Sequence, residues 1–365
     1  MKFTLSRDKL LEVLQQVQSV VSTRTTLPIL SNILIKAQKS GLSMTATDLD
    51  VGVQSSIEAE IEQVGGTTLP ARRFFNIVRE LPANDVRIET DSKNIASIRS
   101  GQYVSKIVGL PEDEFPPLPK FDESRAFTLK QAELKDGLKR TAYAISTDET
   151  RYVLNGVLFA FKDNKLTLVA TDGRRLALMD IEVEITAEQE VSLIVPAKAV
   201  NELQRLLKDD GDVKIKVGQN QIAFELNGAL LVSKLIEGNY PNYRQVIPAE
   251  TKERVTLERE SFHNAVRRVA ILTSEKSNSI KLVLTKNNLD IVANSPEIGE
   301  AKETIAVKYT GKEFTIAFNP DLLMAPLRNL VDDEIYLDLI DEMSPGLIRT
   351  KGPFLYVLMP MRINY

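Results

Sequence analysis

Apolar positions along this chain recur with a long period as well as a short one. The openings FTLSRDKLLEVL from Phe3, FTLKQAELKDGL from Phe127 and VTLERESFHNAV from Val255 begin alike, at offsets of 124 and 128 residues. In each, an alternating run gives way to apolar residues four apart: Leu10 and Leu14, Leu134 and Leu138, Phe262 and Val266. Alternation places side chains on one face of a strand, and a spacing of four places them on one face of a helix. Each opening therefore predicts a short strand feeding an amphipathic helix, with Ser6 a candidate N-cap for the first.

The segments LPILSNILIKA, YVLNGVLFAF and SIKLVLTK follow, each leading through a turn into a second strand. That strand ends in Ala-Thr-Asp48, Ala-Thr-Asp172 and, degraded, Ala-Asn-Ser295. A later strand then enters a second helix opened by Pro70, Pro196 or Asn319, at offsets of 126 and 123. Proline or a short polar residue suits that place, because the first-turn N–H groups have no partner inside the helix. Three landmarks keep their spacing in three copies. The chain thus reads as three α+β domains, 1–120, 121–248 and 249–365, joined at EDEFPPLPKFDES and EGNYPNYRQVIPAETKER. Each domain is expected to run strand, helix and three strands twice over, packing two helices on two antiparallel sheets.

Composition narrows the class. At 365 residues, 43% hydrophobic and 26% charged, this is an ordinary globular chain with room for several cores. It has no cysteine, so disulfides and thiolate metal sites are excluded and a reducing compartment fits. The N-terminus lacks the apolar stretch of a signal peptide, and no run approaches the ~20 apolar residues of a membrane span. A cytoplasmic protein is expected.

The net charge of −4 argues against nucleic-acid binding only if charge is evenly spread. It is not. Helix windows at 6–20, 71–80, 130–142, 197–208, 260–270 and 320–329 total +7, leaving −11 for the remainder. Basic helices in an acidic chain fit a lining that attracts phosphates without reading bases. The alternative is a set of solvated helix faces.

Size favours a closed assembly. A 120-residue domain is about 30–35 Å wide, and six such domains in a circle leave a hole about as wide as one of them. Three domains per chain make that a homodimer with head-to-tail contacts.

The sequence resembles, over essentially its whole length, the bacterial DNA polymerase III beta subunit family of sliding clamps. The resemblance is carried by TLPILSN (Thr26–Asn32), TATDL (Thr45–Leu49), PARRFF (Pro70–Phe75), RYVLNGVLF (Arg151–Phe159) and VATDGRRLA (Val169–Ala177). It extends through YPNYRQVIP (Tyr240–Pro248), AILTSEK (Ala270–Lys276) and YVLMPMR (Tyr356–Arg362). It implies a dimeric six-domain ring around duplex DNA, with helices inside and sheets outside. It also implies a pocket for short peptide motifs between domains two and three. Leu154, Thr171, Gly173, Arg174, Arg175 and Leu176 would form one side of that pocket. Pro241, Val246 and Asn319 would join them, with Val357, Met359, Pro360, Met361 and Arg362 from the C-terminal segment. Arg174 stands where the family often has His, and Gln245 where it often has Arg. On the residues alone, YVLMP reads equally as a buried last strand, whereas methionines also suit adaptable docking surfaces.

For DNA, the resemblance points to Arg24, Arg72, Arg73, Arg151, Tyr152 and Lys198, and the basic second helix of domain two adds Arg205. The subunit contact is expected to set Ile107 against Ile271 and Leu272, with Arg73, Arg99 and Lys106 facing Glu297, Glu300 and Glu303. Asp48 and Asp172 carry the same phrase in separate domains, so they are expected to order the turns that follow rather than share chemistry as a hydrolase pair. His263 is the lone histidine. No phosphate-cradling glycine loop or nucleophile elbow is present, and no cofactor or metal is expected. The implied partners are duplex DNA, a second copy of the chain, the replicative polymerase, an ATP-dependent clamp loader and other clamp-binding replication and repair proteins. A repeat scaffold that never touches DNA is the remaining alternative.

Overall fold

A computed structural model describes residues 1–21, 27–119, 125–274 and 278–362. The first copy runs β1 (Lys2–Ser6), α1 (Arg7–Val17), β2 (Asn32–Gln38), β3 (Gly41–Thr47), β4 (Val51–Ile57), a short β5 (Glu60–Gln63) and β6 (Gly65–Pro70). It continues with α2 (Ala71–Glu80), β7 (Asp85–Thr90), β8 (Ile95–Ser100) and β9 (Tyr103–Val108). The second runs β10 (Ala126–Lys130), α3 (Gln131–Thr141), β11 (Gly156–Lys162), β12 (Lys165–Thr171), β13 (Arg175–Glu182) and β14 (Val191–Pro196). Helix α4 (Ala197–Leu206), β15 (Asp212–Val217), β16 (Gln221–Leu226) and β17 (Ala229–Lys234) complete it. The third runs β18 (Glu253–Glu258), α5 (Arg259–Val269), β19 (Ile280–Thr285), β20 (Asn288–Ser295), β21 (Gly299–Ala306) and β22 (Phe314–Phe318). It ends with α6 (Pro320–Asn329), β23 (Glu334–Leu339), β24 (Gly346–Arg349) and β25 (Phe354–Leu358).

The doubled strand–helix–three-strand order is the one the sequence spacing predicts, with β5 the single addition. The expected apolar positions are the buried ones: Leu10, Leu14, Leu134, Leu138, Phe262 and Val266 are all sealed from solvent. Caps fix where the helices start. The Ser6 hydroxyl accepts from the Lys9 N–H (3.5 Å), and Asn319 Oδ1 accepts from the Asp321 and Leu322 N–H groups (2.9 and 3.1 Å). Helix α5 is capped instead by the Glu258 carboxylate, which accepts from the Glu260 and Ser261 N–H groups (3.0 and 2.6 Å).

Each copy contributes to two antiparallel sheets, as expected, and sheets of successive copies join, so that the described residues form four. Two are short, ordered β5-β1-β7-β8-β9 and β21-β20-β19-β22. The other two have eight strands, ordered β10-β15-β16-β17-β4-β3-β2-β6 and β14-β11-β12-β13-β25-β24-β23-β18. The last strand of one copy thus pairs with the fourth strand of the copy before it, through β17·β4 and β13·β25. The reason is that an unpaired last strand would leave a row of open N–H and C=O groups, and pairing across the copy boundary closes it.

The chain divides into two compact bodies, 1–135 with 198–235 and 136–197 with 236–365. The first holds the five-stranded sheet and one eight-stranded sheet, with Phe3, Leu10, Leu14, Phe74, Val200 and Leu203 fully buried. The second holds the other two sheets, with Phe262, Phe318, Leu323 and Tyr356 fully buried. The expected boundary at 120–121 lies outside the described residues.

Candidate functional site

The repeated Ala-Thr-Asp phrase builds the same turn twice. The Thr171 hydroxyl donates to the Arg175 carbonyl (2.6 Å) and accepts from the Gly173 N–H (3.1 Å). Asp172 Oδ1 accepts from the Arg174 and Arg175 N–H groups (2.9 and 3.1 Å). In the first copy, Thr47 donates to the Val51 carbonyl (3.0 Å) and accepts from the Leu49 N–H (3.0 Å). Asp48 Oδ1 there accepts from the Asp50 and Val51 N–H groups (3.0 and 2.8 Å). The residue after each Asp is left-handed: Gly173 at φ 86° and Leu49 at φ 79°. Glycine meets that requirement without strain and leucine does not.

In the second copy this turn presents a site. Asp172 Oδ2 accepts from Arg175 Nε (3.0 Å), and the Arg175 guanidinium lies 5.8 Å from the centre of the Tyr143 ring. Tyr143 in turn packs on Tyr356, centroids 6.0 Å apart, and the Tyr356 hydroxyl donates to the Leu322 carbonyl (2.7 Å). Burial drives the phenols of Tyr143, Tyr240 and Tyr356 above the ordinary tyrosine range, so all three stay neutral. Beside this stack, Leu176 pairs with Val357 across β13·β25. They share one apolar cluster with Leu158, Val169, Ile194, Leu347 and Leu355, against which Val153, Tyr240, Tyr243 and Ile247 pack.

The chain past β25 is tied over this floor. The Met359 N–H donates to the Arg174 carbonyl (3.0 Å) and the Met361 N–H to the Ala317 carbonyl (2.8 Å). Val246 and Met359 remain 46% and 43% exposed, with Pro241, Arg174 and Arg362 also exposed and Pro360 and Met361 half-buried. A sealed apolar floor under exposed apolar and cationic rims can hold an apolar peptide side chain. Leu154 is buried, and Asn319 is committed to capping α6. Sequence reasoning missed Tyr143, Tyr240, Tyr243, Ile247 and Tyr356. The aromatic-Pro step shared by Phe115-Pro116 and Tyr240-Pro241 was the available signal for Tyr240.

The basic candidates differ in how far they are already committed. Arg72 and Arg73 are exposed on α2, and Tyr152 is 58% exposed. Arg151 Nε donates to Asp148 (3.0 Å). Lys198 bonds the Asp48 carboxylate and the Val20 carbonyl (3.4 Å). Burial pushes the Asp48 carboxyl up, but the Lys198 and Val51 hydrogen bonds outweigh it and hold Asp48 below its ordinary range. Arg205 is the most occupied: it donates to the Gln15 (2.6 Å) and Gln16 (2.9 Å) carbonyls, to the Ser19 hydroxyl and to the Glu202 carboxylate (3.0 Å). Its first duty is to tie α4 to α1. Arg24 lies outside the described residues.

At the expected subunit contact, Ile107 turns into its own core at 7% exposure. Strand alternation sets 104, 106 and 108 on the outward face of β9, where Val104 (59%) and Val108 (69%) are exposed; Tyr103 at the start of the strand is exposed as well (40%). Ile271 is 74% exposed and Leu272 half-buried. Arg99, Lys106, Glu297 and Glu300 are exposed, whereas Glu303 accepts from Arg268 Nε of its own chain (2.8 Å).

Each carboxylate of the Thr-Asp turns is engaged by its own turn and its own cation, Asp48 with Lys198 and Asp172 with Arg175. No cluster of His, Asp and Glu able to hold a metal is present among the described residues. His263 has its Nε2 buried without a partner. Burial, then Arg328, Arg267 and Arg259, lower its pKa from the usual 6.5.

Comparison with known proteins agrees along the whole chain. Family models described as the N-terminal, central and C-terminal domains of the DNA polymerase III beta subunit match residues 1–119, 128–242 and 244–362. The beta sliding clamp of Chlamydia muridarum is 36% identical over 364 residues, covering 100% of both chains. The solved sliding clamp of Bacillus subtilis superposes with a TM-score of 0.95 at 34% identity, again over 100% of both. That of Bartonella birtlesii, bound to griselimycin, gives 0.94 at 38% identity and the same coverage.

Proposed function

The chain belongs to the family of DNA polymerase III beta subunits, the beta sliding clamps, and on that premise we propose how its residues divide the work. It is a processivity factor for DNA replication and not a catalyst. Its partners are the DNA it encircles, a second copy of itself, the polymerase and other clamp-binding proteins. An ATP-dependent loader opens the ring, and the cytoplasm is where it acts; no helix among the described residues is long and apolar enough to cross a membrane.

One observation carries the assembly. Each copy ends in a strand that seeks the fourth strand of another copy. Inside the chain, β25 finds β13 and β17 finds β4, whereas β9 and β21 each stand as the last strand of a sheet. The repeat therefore calls for β9 of one chain to pair with β21 of another, and two such contacts close a dimer of six modules. Charge supports the pairing: Lys106 lies on β9 and Arg99 beside it on β8, and Glu297 and Glu300 precede or open β21. Val104 and Val108 supply its apolar contact, with Ile271 and Leu272 opposite.

Domains near 1–120, 121–248 and 249–365 would then line the opening with their helices. As formed, the six helices carry a net +6 against −4 for the chain, leaving −10 elsewhere. Arg72 and Arg73 are the cations of α2 without an ion-pair partner among the described residues; Lys198, Arg151 and Tyr152 contribute from the second copy. Contacts with phosphates alone carry no sequence information, so the ring slides. Enclosure keeps it on DNA. The second-copy pocket, floored by Leu176 and Val357 and rimmed by Arg174, Val246 and Met359, receives the peptide motif of a polymerase.

Loading the chain onto nicked circular duplex tests this. Retention should persist in salt that strips simple phosphate contacts and vanish when the circle is cut. Equal loss from circular and linear DNA, or a monomer at micromolar concentration, would overturn the assembly.

A further inference from the structure

The junction of β4 with β17 repeats the junction of β13 with β25. Val51 pairs with Ser233 and Gly52 with Val232, as Arg175 pairs with Leu358 and Leu176 with Val357. At the strand ends, the Lys234 N–H donates to the Asp50 carbonyl (2.8 Å), as the Met359 N–H does to Arg174 (3.0 Å). Both junctions carry the same Thr-Asp turn. Each also has a connecting segment with an aromatic-Pro step, Phe115-Pro116 in one and Tyr240-Pro241 in the other. The first-copy junction thus has the parts of the candidate peptide pocket.

The floors differ. Gly52 stands where the second junction has Leu176, and a Cβ on Gly52 would fall well inside contact distance of Leu118 Cδ2. The connecting segment has therefore put its own leucine into the space that a floor side chain would fill. What remains is a recess of about 230 Å³ lined by Leu49, Val51, Pro117, Leu118 and Val232. That is smaller than the ~300–1,000 Å³ of usual ligand pockets. At its rim, Lys234 pairs with Asp50 (3.0 Å), where the second junction offers Met359 and Arg174.

We propose that the first-copy junction is a second peptide pocket of the same construction, closed by Leu118 of the chain's own connecting segment. The plug leaves each chain a single open docking pocket. This rests on reading the second-copy junction as a peptide pocket, so two readouts are needed.

The first is independent of any ligand. The chain has no cysteine, so Leu118→Cys carries a single thiol. Its reaction with a maleimide should be slower than that of Ser40→Cys on an exposed turn, because Leu118 is half-buried with its side chain over Gly52 and full access needs the segment to lift. Equal rates overturn the plug whatever the second pocket binds. The second readout counts griselimycin bound per chain by native mass spectrometry, with thermal melting to confirm folding. One is expected on the native chain and two on Gly52→Leu/Leu118→Ala, which removes the plug and restores the leucine floor. A count of one on the folded double variant overturns the second pocket. A native chain that binds none, with the thiol of Leu118→Cys still protected, counts against the second-copy reading and leaves the plug standing.

Discussion

At the residue scale, the Thr-Asp turn is the chain's most informative phrase, because its two copies differ at the position that needs φ > 0. Gly173→Ala should cost about 1–2 kcal/mol from the left-handed backbone. It should also move Arg151, whose Nη1 would lie 2.7 Å from the new Cβ. Leu49→Gly should be neutral or stabilising by up to about 1 kcal/mol, since relief of strain outweighs the entropy glycine adds to the unfolded chain. Urea midpoints of the two variants check both signs. Asp48 tests the same turn by pH. Folding lowers its pKa from the usual 3.8, so the unfolded chain takes up that proton first. Its stabilisation is therefore complete above the ordinary carboxylate range and lost as pH falls through and below it. Acid unfolding of Asp48→Asn, followed by circular dichroism, should be correspondingly shallower. Two helix arginines separate by their partners: Arg205→Ala leaves Glu202, which is only 9% exposed, without its cation and with the Ser19 hydroxyl (2.6 Å) as its remaining donor, and should lose about 1–3 kcal/mol of stability. Arg72→Ala should weaken association with open linear DNA with no change in melting.

At the scale of elements, helix positions and strand order were legible because their signals are local. A spacing of four, a cap and a proline each act within one turn of chain. Sheet membership was not legible, since nothing in the sequence of β17 distinguishes pairing with β4 from an end within its own copy. The same limit explains Ile107. Its apolarity reads as an exposed contact, but β9 is an edge strand with one face already packed, and that face took the isoleucine. Val104→Asp with Val108→Asp should weaken dimerisation by about a hundredfold or more, roughly 3 kcal/mol, without unfolding the chain. Light scattering across a dilution series measures it. An unchanged mass would remove β9 from the contact.

For the whole molecule, the separation of charge is the governing feature, and it is small: a net +6 on the helices inside a chain of −4. A modest field suits a clamp, which needs enclosure rather than grip. The salt slope of association with open linear DNA should therefore be shallow, about two to four counterions rather than the six to ten of a tight phosphate binder. Fluorescence anisotropy against salt concentration reads it directly. What the sequence determined by itself was the repeat, the helices and their charge, the turn chemistry of Asp48 and Asp172, and the family. These follow from side chains acting on their near neighbours, or from a pattern long enough to be specific. Only the tertiary structure decided which strands join across copies and that Arg205 and Glu303 are spent within the chain. It alone put a tyrosine stack beneath the pocket and Leu118 above Gly52. Those outcomes depend on residues far apart in sequence competing for the same space and the same hydrogen bonds, and the folded arrangement settles that competition.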